Sequence, residues 1–394
     1  MRSLVAASFV VLTVTLGVGC SSSDSGTSST GAGGSGSGGS GGAGGGAGVD
    51  TALTWDPTKP GNFGCGHRTL DMTYAPPGGL PSRTIPVHFW YPTNATEGDH
   101  PKYHSIADTV AFEGVPLAPT TWKSGLPVLV HSHGYKGFAG NSARLMCHFA
   151  SHGWLAVAPE HIGNVINDTP DKLPLSVYVH RPFDIRASLD FLGTLPTGDE
   201  LVGKTDMGRV AMSGHSFGTY TAWAIGGATL NADWFHSSCT KGDVTDCTDA
   251  QLAVLAGDVS DKRAQVVLPL AGAPRSEIGD ASFDTAKVPV LQMSGSLNDV
   301  GDGPVFAEVS KVDLTWVDVD GGCHQLFGLG NNSFVEPGVP CSQLPDEEGF
   351  SLVNPFALSY VRYHVLADRS DPVKGIVEGT TSLSPKVHVM HKTP

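Results

Sequence analysis

A serine set between two glycines, at the end of an apolar run, is the first feature of this chain that could do chemistry. Arg209-Val-Ala-Met-Ser213 leads directly into Gly214-His215-Ser216-Phe217-Gly218, and an Ala-rich stretch follows. A strand that turns this sharply into a helix needs small residues on either side of the serine, and it lifts the hydroxyl above the sheet edge. The bare pattern is weak, because Gly38-Gly39-Ser40-Gly41-Gly42 repeats it with neither a strand nor a helix around it. Context therefore singles out Ser216 as the candidate nucleophile. The helix start behind it favours the negative charge that develops in acyl transfer.

A serine nucleophile needs a base, a group that orients the base, and donors for the oxyanion. The backbone N–H after the nucleophile, that of Phe217, supplies one donor. The second is expected after an early central strand, and Leu126-Pro-Val-Leu-Val-His-Ser-His-Gly-Tyr-Lys-Gly137 points to Tyr135 N–H, with Gly134 helping the turn. Where a serine elbow joins strand to helix, the chain order is nucleophile, acid, histidine. His131 and His133 precede Ser216, so they are read as structural hydrogen-bonding groups beneath the oxyanion loop. Asp299, four residues after Gly295 and just past an apolar run, is the expected acid, with Asp302 on the same loop as its rival. His324 follows two glycines beyond Leu314-Thr-Trp-Val-Asp318 and is the expected base. A disulfide between Cys323 and Cys341 would hold its loop.

The elements that must carry these residues are legible as short apolar runs. Thr84–Tyr91 alternates and reads as an early antiparallel strand. Leu126–His131, Trp154–Ala158, Arg209–Ser213, Gln265–Leu270, Val288–Met293 and Leu314–Asp318 read as strands buried on both faces. Helical patterns lie between them near Asn141–His152, Pro182–Leu192, Phe217–Ala228 and Pro304–Lys311, with a long one near Phe350–Ala367. The alternation predicts an α/β fold with a mostly parallel central sheet and helices on both faces. Ile162–Tyr178 and Asn231–Arg263 break the rhythm and are expected to be loops over a site.

The N-terminal part of the chain has a different character. Met1–Cys20 combines Arg2, an apolar run too short to span a bilayer, and Gly19-Cys20, and reads as a removable export signal. Residues 21–48 are mostly Gly and Ser, have no face to bury, and form a flexible tether reaching roughly 30 Å. Residues 49–394 are left for one catalytic domain. Seven cysteines leave six once Cys20, at the end of the export signal, is set aside, and an even number in an exported chain suggests up to three disulfides. Cys239–Cys247 and Cys323–Cys341 close short loops; Cys65 and Cys147 remain, and the connectivity is open. A net charge of −14 argues against nucleic-acid binding. No metal-ligand spacing is present, so no metal is expected.

Several segments together look familiar: Gly66-His-Arg-Thr-Leu70, Val87-His-Phe-Trp-Tyr-Pro92, Ser132-His-Gly134, Phe149-Ala-Ser-His-Gly-Trp154, Ala158-Pro-Glu-His161, Gly214–Gly218 and Gly321-Gly-Cys-His324. In this order the chain resembles α/β-hydrolases of the platelet-activating-factor acetylhydrolase and dienelactone-hydrolase-like group, and more distantly the cutinase and polyester hydrolases. Residues 20 and 16–19 likewise resemble a lipobox, with Cys20 as the lipidated end. The resemblance implies an α/β-hydrolase fold and a cofactor-free serine carboxylic ester hydrolase, acting through a Ser-His-Asp triad on small or lipid-type esters. Dienelactone hydrolases proper carry Cys where Ser216 stands, and cutinases often carry Trp where His215 stands. A polyester hydrolase, or a non-catalytic surface-binding protein on a hydrolase fold, is the alternative. The expected partners are an ester substrate and a membrane reached through the lipid anchor. The expected state is a monomer, exported as an outer-membrane or cell-surface lipoprotein or otherwise secreted or periplasmic.

Overall fold

The computed structural model describes residues 53, 55–119, 124–298, 301–333 and 341–394. The expected signal, tether and lipidated Cys20 lie outside the described residues. A sheet of ten strands runs through the rest: β1 Gly64–Tyr74, β2 Arg83–Thr93, β3 Phe112–Glu113, β4 Leu126–Ser132, β5 Leu155–Pro159, β6 Thr205–His215, β7 Ala264–Leu270, β8 Val290–Gly295, β9 Leu314–Val319 and β10 Val387–Lys392. Across the sheet the order is β10-β9-β8-β7-β6-β4-β5-β2-β1-β3. The strands from β5 to β9 are parallel, while β2 pairs antiparallel with both β1 and β5, and β10 antiparallel with β9. Every residue of β4 and β5 is buried, which requires cover on both faces and accounts for their unbroken apolar runs.

The cover comes from helices α1 Ala143–Ser151, α2 Leu175–Phe191, α3 Gly218–Ile225 and α8 Asp346–Val365. Helices α1 and α8 touch each other, and so do α2 and α3. Shorter helices α4 Ala232–Lys241, α5 Asp249–Leu255, α6 Arg275–Ile278, α7 Asp302–Glu308 and α9 Asp371–Val377 lie in the connections. Helix α2 starts seven residues before the expected Pro182 and runs through that proline. Proline brings no N–H, which frees the carbonyl of Tyr178 one turn back. The hydroxyl of Tyr220 donates to that carbonyl at 2.9 Å, so the break in the ladder is filled from α3.

Asn231–Arg263 is not a loop, as expected from its polarity, but largely two helices. Asn231 accepts the N–H of Trp234 to cap α4, and Thr248 accepts that of Gln251 to cap α5. Gly242 ends α4 in the left-handed region. The other stretch expected to be a loop is irregular through Pro174, and α2 takes up its last four residues. It is pinned beside the end of β4 by a bridge between Gly137 and Val165 and by Ile166 N–H donating to Gly137 O at 3.2 Å.

The six cysteines form three disulfides. Cys65–Cys147 ties β1 to α1, Cys239–Cys247 ties α4 to the turn before α5, and Cys323–Cys341 closes the segment after β9. Such a set marks a chain that matures in an oxidising compartment outside the cytosol.

Candidate active site

Ser216 occupies the turn between β6 and α3 with φ +57°, a left-handed backbone that non-glycine residues adopt at a cost of roughly 1–3 kcal/mol. Its surroundings fix that conformation. A Cβ on Gly214 would sit 2.0 Å from Gly218 O, and one on Gly218 would sit 2.0 Å from Ser132 O. Both positions must therefore be glycine. Ser216 N–H donates to Leu270 O at 2.9 Å, and Thr219 N–H returns to Ser216 O at 2.9 Å. The neighbours His215 and Gly218 are buried, whereas Ser216 is half-buried.

The loop after β4 runs directly beside this serine. A Cβ on Gly134 would stand 3.0 Å from Ser216 Cβ and 3.4 Å from its Oγ, so any side chain there would crowd the hydroxyl. Tyr135 follows, 42% exposed, and Phe217 lies half-buried, edge-on to Tyr178. Among the described residues, the backbone N–H groups of Tyr135 and Phe217 meet no hydrogen-bond acceptor. Beneath the loop, His133 Nδ1 donates to Gly134 O at 2.9 Å while its Nε2 accepts His161 N–H at 3.0 Å. His131 Nδ1 lies 2.9 Å from Ser213 Oγ. Both rings are wholly buried; burial pushes the pKa of His131 down to about 3 and that of His133 well below the usual histidine range. Both are held in hydrogen bonds in the interior beneath the loop.

His324 opens a 3-10 turn, His324–Phe327, just past β9. The loop that carries it is pressed onto the end of β8: a Cβ on Gly295 would lie 2.2 Å from Gly322 O. Asn331, fully buried, buckles the same loop. Its Oδ1 accepts Cys323 N–H at 2.6 Å, and its Nδ2 donates to Gly321 O, Cys341 O and Leu344 O. His324 Nδ1 is 3.3 Å from Asn298 Oδ1; donation to that oxygen leaves Nε2 with a lone pair. Asp299 lies outside the described residues. Asp302, its rival, is buried at the start of α7, with its backbone carbonyl accepting Gln292 Nε2 at 2.6 Å.

His215 links the two halves. Asn141 Nδ2 donates to its Nδ1 at 3.3 Å, so Nε2 carries the proton and donates to the carbonyl of His324 at 2.9 Å. The rings of His215 and His324 are 4.9 Å apart. The residue beside the candidate nucleophile thus holds the backbone of the candidate base, and both lie at the same end of the sheet. Asn141, His215, Asn298 and Asn331 have no sequence signature of their own; only their partners, far away along the chain, give them a role. Among the described residues, no group of three His, Cys, Asp or Glu side chains is placed to hold a metal ion.

Residues 112–239 match the family model described as Chlorophyllase, a stretch that covers the loop after β4 and Ser216 but less than half of the chain. Among solved structures, the chain is similar to a ferulic acid esterase from Streptomyces cinnamoneus. The TM-score is 0.54 at 18% identity, covering 83% of this chain and 96% of that one. No curated protein matches the chain. The architecture is that of the α/β-hydrolase fold, as the sequence resemblance implied.

Proposed function

We propose that this chain is a serine carboxylic ester hydrolase. The observation that carries the reading is the forced left-handed Ser216, half-buried beside two backbone N–H groups that meet no acceptor among the described residues, and one residue from a histidine that grips the His324 loop. Ser216 Oγ attacks the ester carbonyl while His324 Nε2 takes its proton. The N–H groups of Tyr135 and Phe217 receive the oxyanion, and Asp299, the acid expected from the sequence, holds the His324 tautomer and stabilises the imidazolium. The proton passes to the leaving alcohol, whose C–O bond breaks to leave an acyl-enzyme. Water, deprotonated by His324, then releases the acid and restores Ser216. The two likenesses, to a family described as Chlorophyllase and to a ferulic acid esterase, are both to ester-cleaving names and support this chemistry.

Tyr135, Ile162 and Ile166 are large apolar side chains left exposed on two loops that the Gly137–Val165 bridge holds together next to Ser216. This rim favours an ester whose acyl or alcohol group is apolar. A single-chain enzyme tethered to a membrane by lipid on Cys20 completes the reading.

Ser216→Ala should lower turnover of p-nitrophenyl butyrate by at least about 10³-fold and abolish labelling by a fluorophosphonate. Wild-type protein that neither labels nor turns over any ester in a chain-length series would instead be a surface-binding protein on a hydrolase fold. Rising kcat/KM from acetate to octanoate would support the apolar rim.

A further inference from the structure

Arg181 lies in the middle of α2 with its side chain wholly buried. A buried guanidinium is strongly destabilising unless its donors are satisfied, and a carboxylate is the usual partner. Here the hydrogen-bond partners among the described residues are all neutral. Nε and Nη2 donate to Asn164 Oδ1 at 3.0 and 2.5 Å. Nη1 donates to Ser132 Oγ at 3.2 Å and to His133 O at 2.7 Å, and Nη2 to Gly134 O at 3.0 Å. Asp184, the nearest acid along the helix, is engaged elsewhere: His161 Nδ1 and Tyr74 hydroxyl donate to it at 2.8 and 2.5 Å. The cation is thus directed at two consecutive carbonyls of the loop after β4. The guanidinium also lies over the Phe217 ring, with Cζ 4.4 Å from the ring centroid.

These contacts converge on the two residues whose N–H groups would receive the oxyanion. A trans peptide holds its C=O and N–H in one plane, pointing in opposite directions. Fixing Gly134 O on Arg181 therefore fixes the direction of Tyr135 N–H, which is turned away from the guanidinium. A cation on the carbonyl also polarises the peptide and strengthens its N–H as a donor. On the far side, the stacked guanidinium holds Phe217 at the first turn of α3. Gly137 N–H and His133 Nδ1 also donate to Gly134 O, but neither reaches Phe217.

We propose that Arg181 is the positioning residue of the oxyanion hole, setting Tyr135 and Phe217 in register through the Gly134 carbonyl and the Phe217 ring. The inference rests on Ser216 being the nucleophile. An oxyanion donor acts in the transition state and not on bound substrate, so its misplacement lowers kcat and leaves KM. Loss of a single donor costs about 10²–10³ in kcat elsewhere, which bounds the effect.

The test compares Arg181→Met, Arg181→Lys and Asn164→Ala with wild type on p-nitrophenyl butyrate. It adds inhibition by a trifluoromethyl ketone, which presents an oxyanion once the serine has added to it. The expected result is a kcat about 10²-fold lower for Arg181→Met and about 10-fold lower for Arg181→Lys, with KM within threefold. Affinity for the ketone should weaken in step with kcat/KM. Asn164→Ala, which loosens the guanidinium without touching the oxyanion loop, should lower kcat about threefold to tenfold. Folded Arg181→Lys with wild-type kcat and ketone affinity overturns the inference, and so does a rise in KM alone. Should neither Arg181 variant fold, Asn164→Ala decides on the same two readouts. Ser216→Ala separates the two levels: retained turnover there defeats the nucleophile, whereas lost turnover beside unaltered Arg181 and Asn164 variants defeats only this role.

Discussion

The nucleophile side and the base side of the candidate site are held in place by different means. Ser216 and the loop after β4 sit at the ends of β6 and β4, in the middle of the sheet, where backbone meets backbone through Gly214 and Gly218 and a buried arginine gathers the loop. His324 follows β9, one strand from the sheet edge; its loop meets backbone at Gly295 and takes one hydrogen bond from His215, and one buried asparagine and one disulfide close it. A site can thus be built by core packing on one side and by stapling on the other. The packed side should be intolerant of any added atom; the stapled side should loosen piecemeal.

The largest effect is expected at the packed side. Gly218→Ala places a methyl group against the Ser132 carbonyl and should cost more than about 3 kcal/mol or prevent folding, read as melting temperature and ester turnover. A soluble Gly218→Ala protein with wild-type turnover would break the distinction. Next, removing the Cys323–Cys341 disulfide by paired alanines should cost about 3 kcal/mol by loop entropy and also lower kcat. Removing Cys239–Cys247, which joins α4 to the turn before α5, should lower the melting temperature while kcat stays within twofold. Equal losses of kcat from both pairs would show that the staple has no local role. Asn331→Ala should follow at about 2 kcal/mol, because three carbonyls and one N–H lose their buried partner; the readout is hydrogen exchange of the 321–333 segment.

Taken per group and per pH unit, the smallest effect is a pH dependence of stability. Burial lowers the folded pKa of His131 and His148 to about 3 and that of His152 to about 4. The unfolded chain, with histidines near 6.5, binds more protons than the folded one below that pH, so stability falls as the medium is acidified. The loss should begin near pH 6.5 and continue toward pH 4, at up to about 1.4 kcal/mol per histidine per pH unit. A melting temperature that stays flat from pH 7 to 5 would contradict it.

The central strands were legible because a strand buried on both faces must be apolar throughout, and the run before Ser216 is so. The outer strands β1 and β10 were not, since Gly64–Tyr74 and Val387–Lys392 leave one side to solvent and mix polar residues into the pattern. Helices α4 and α5 were missed although Asn231 and Thr248 stood where caps belong; their polar faces outweighed the cap signal. Within the candidate site, Ser216, Tyr135, Phe217 and His324 could be proposed from their neighbours in sequence. Arg181, Asn331 and Asn298 could not, because each owes its place to partners from other elements. Nothing in the residues around Arg181 distinguishes it from an arginine facing water.

The staple beside His324 has a consequence for when the protein could begin to work. A newly made chain in a reducing cytosol could already form the packed half of the site, with its serine poised, but would lack the covalent bond that closes the segment carrying the imidazole. Full hydrolytic competence would then arrive only with oxidation, after the chain has left the cell's own esters behind.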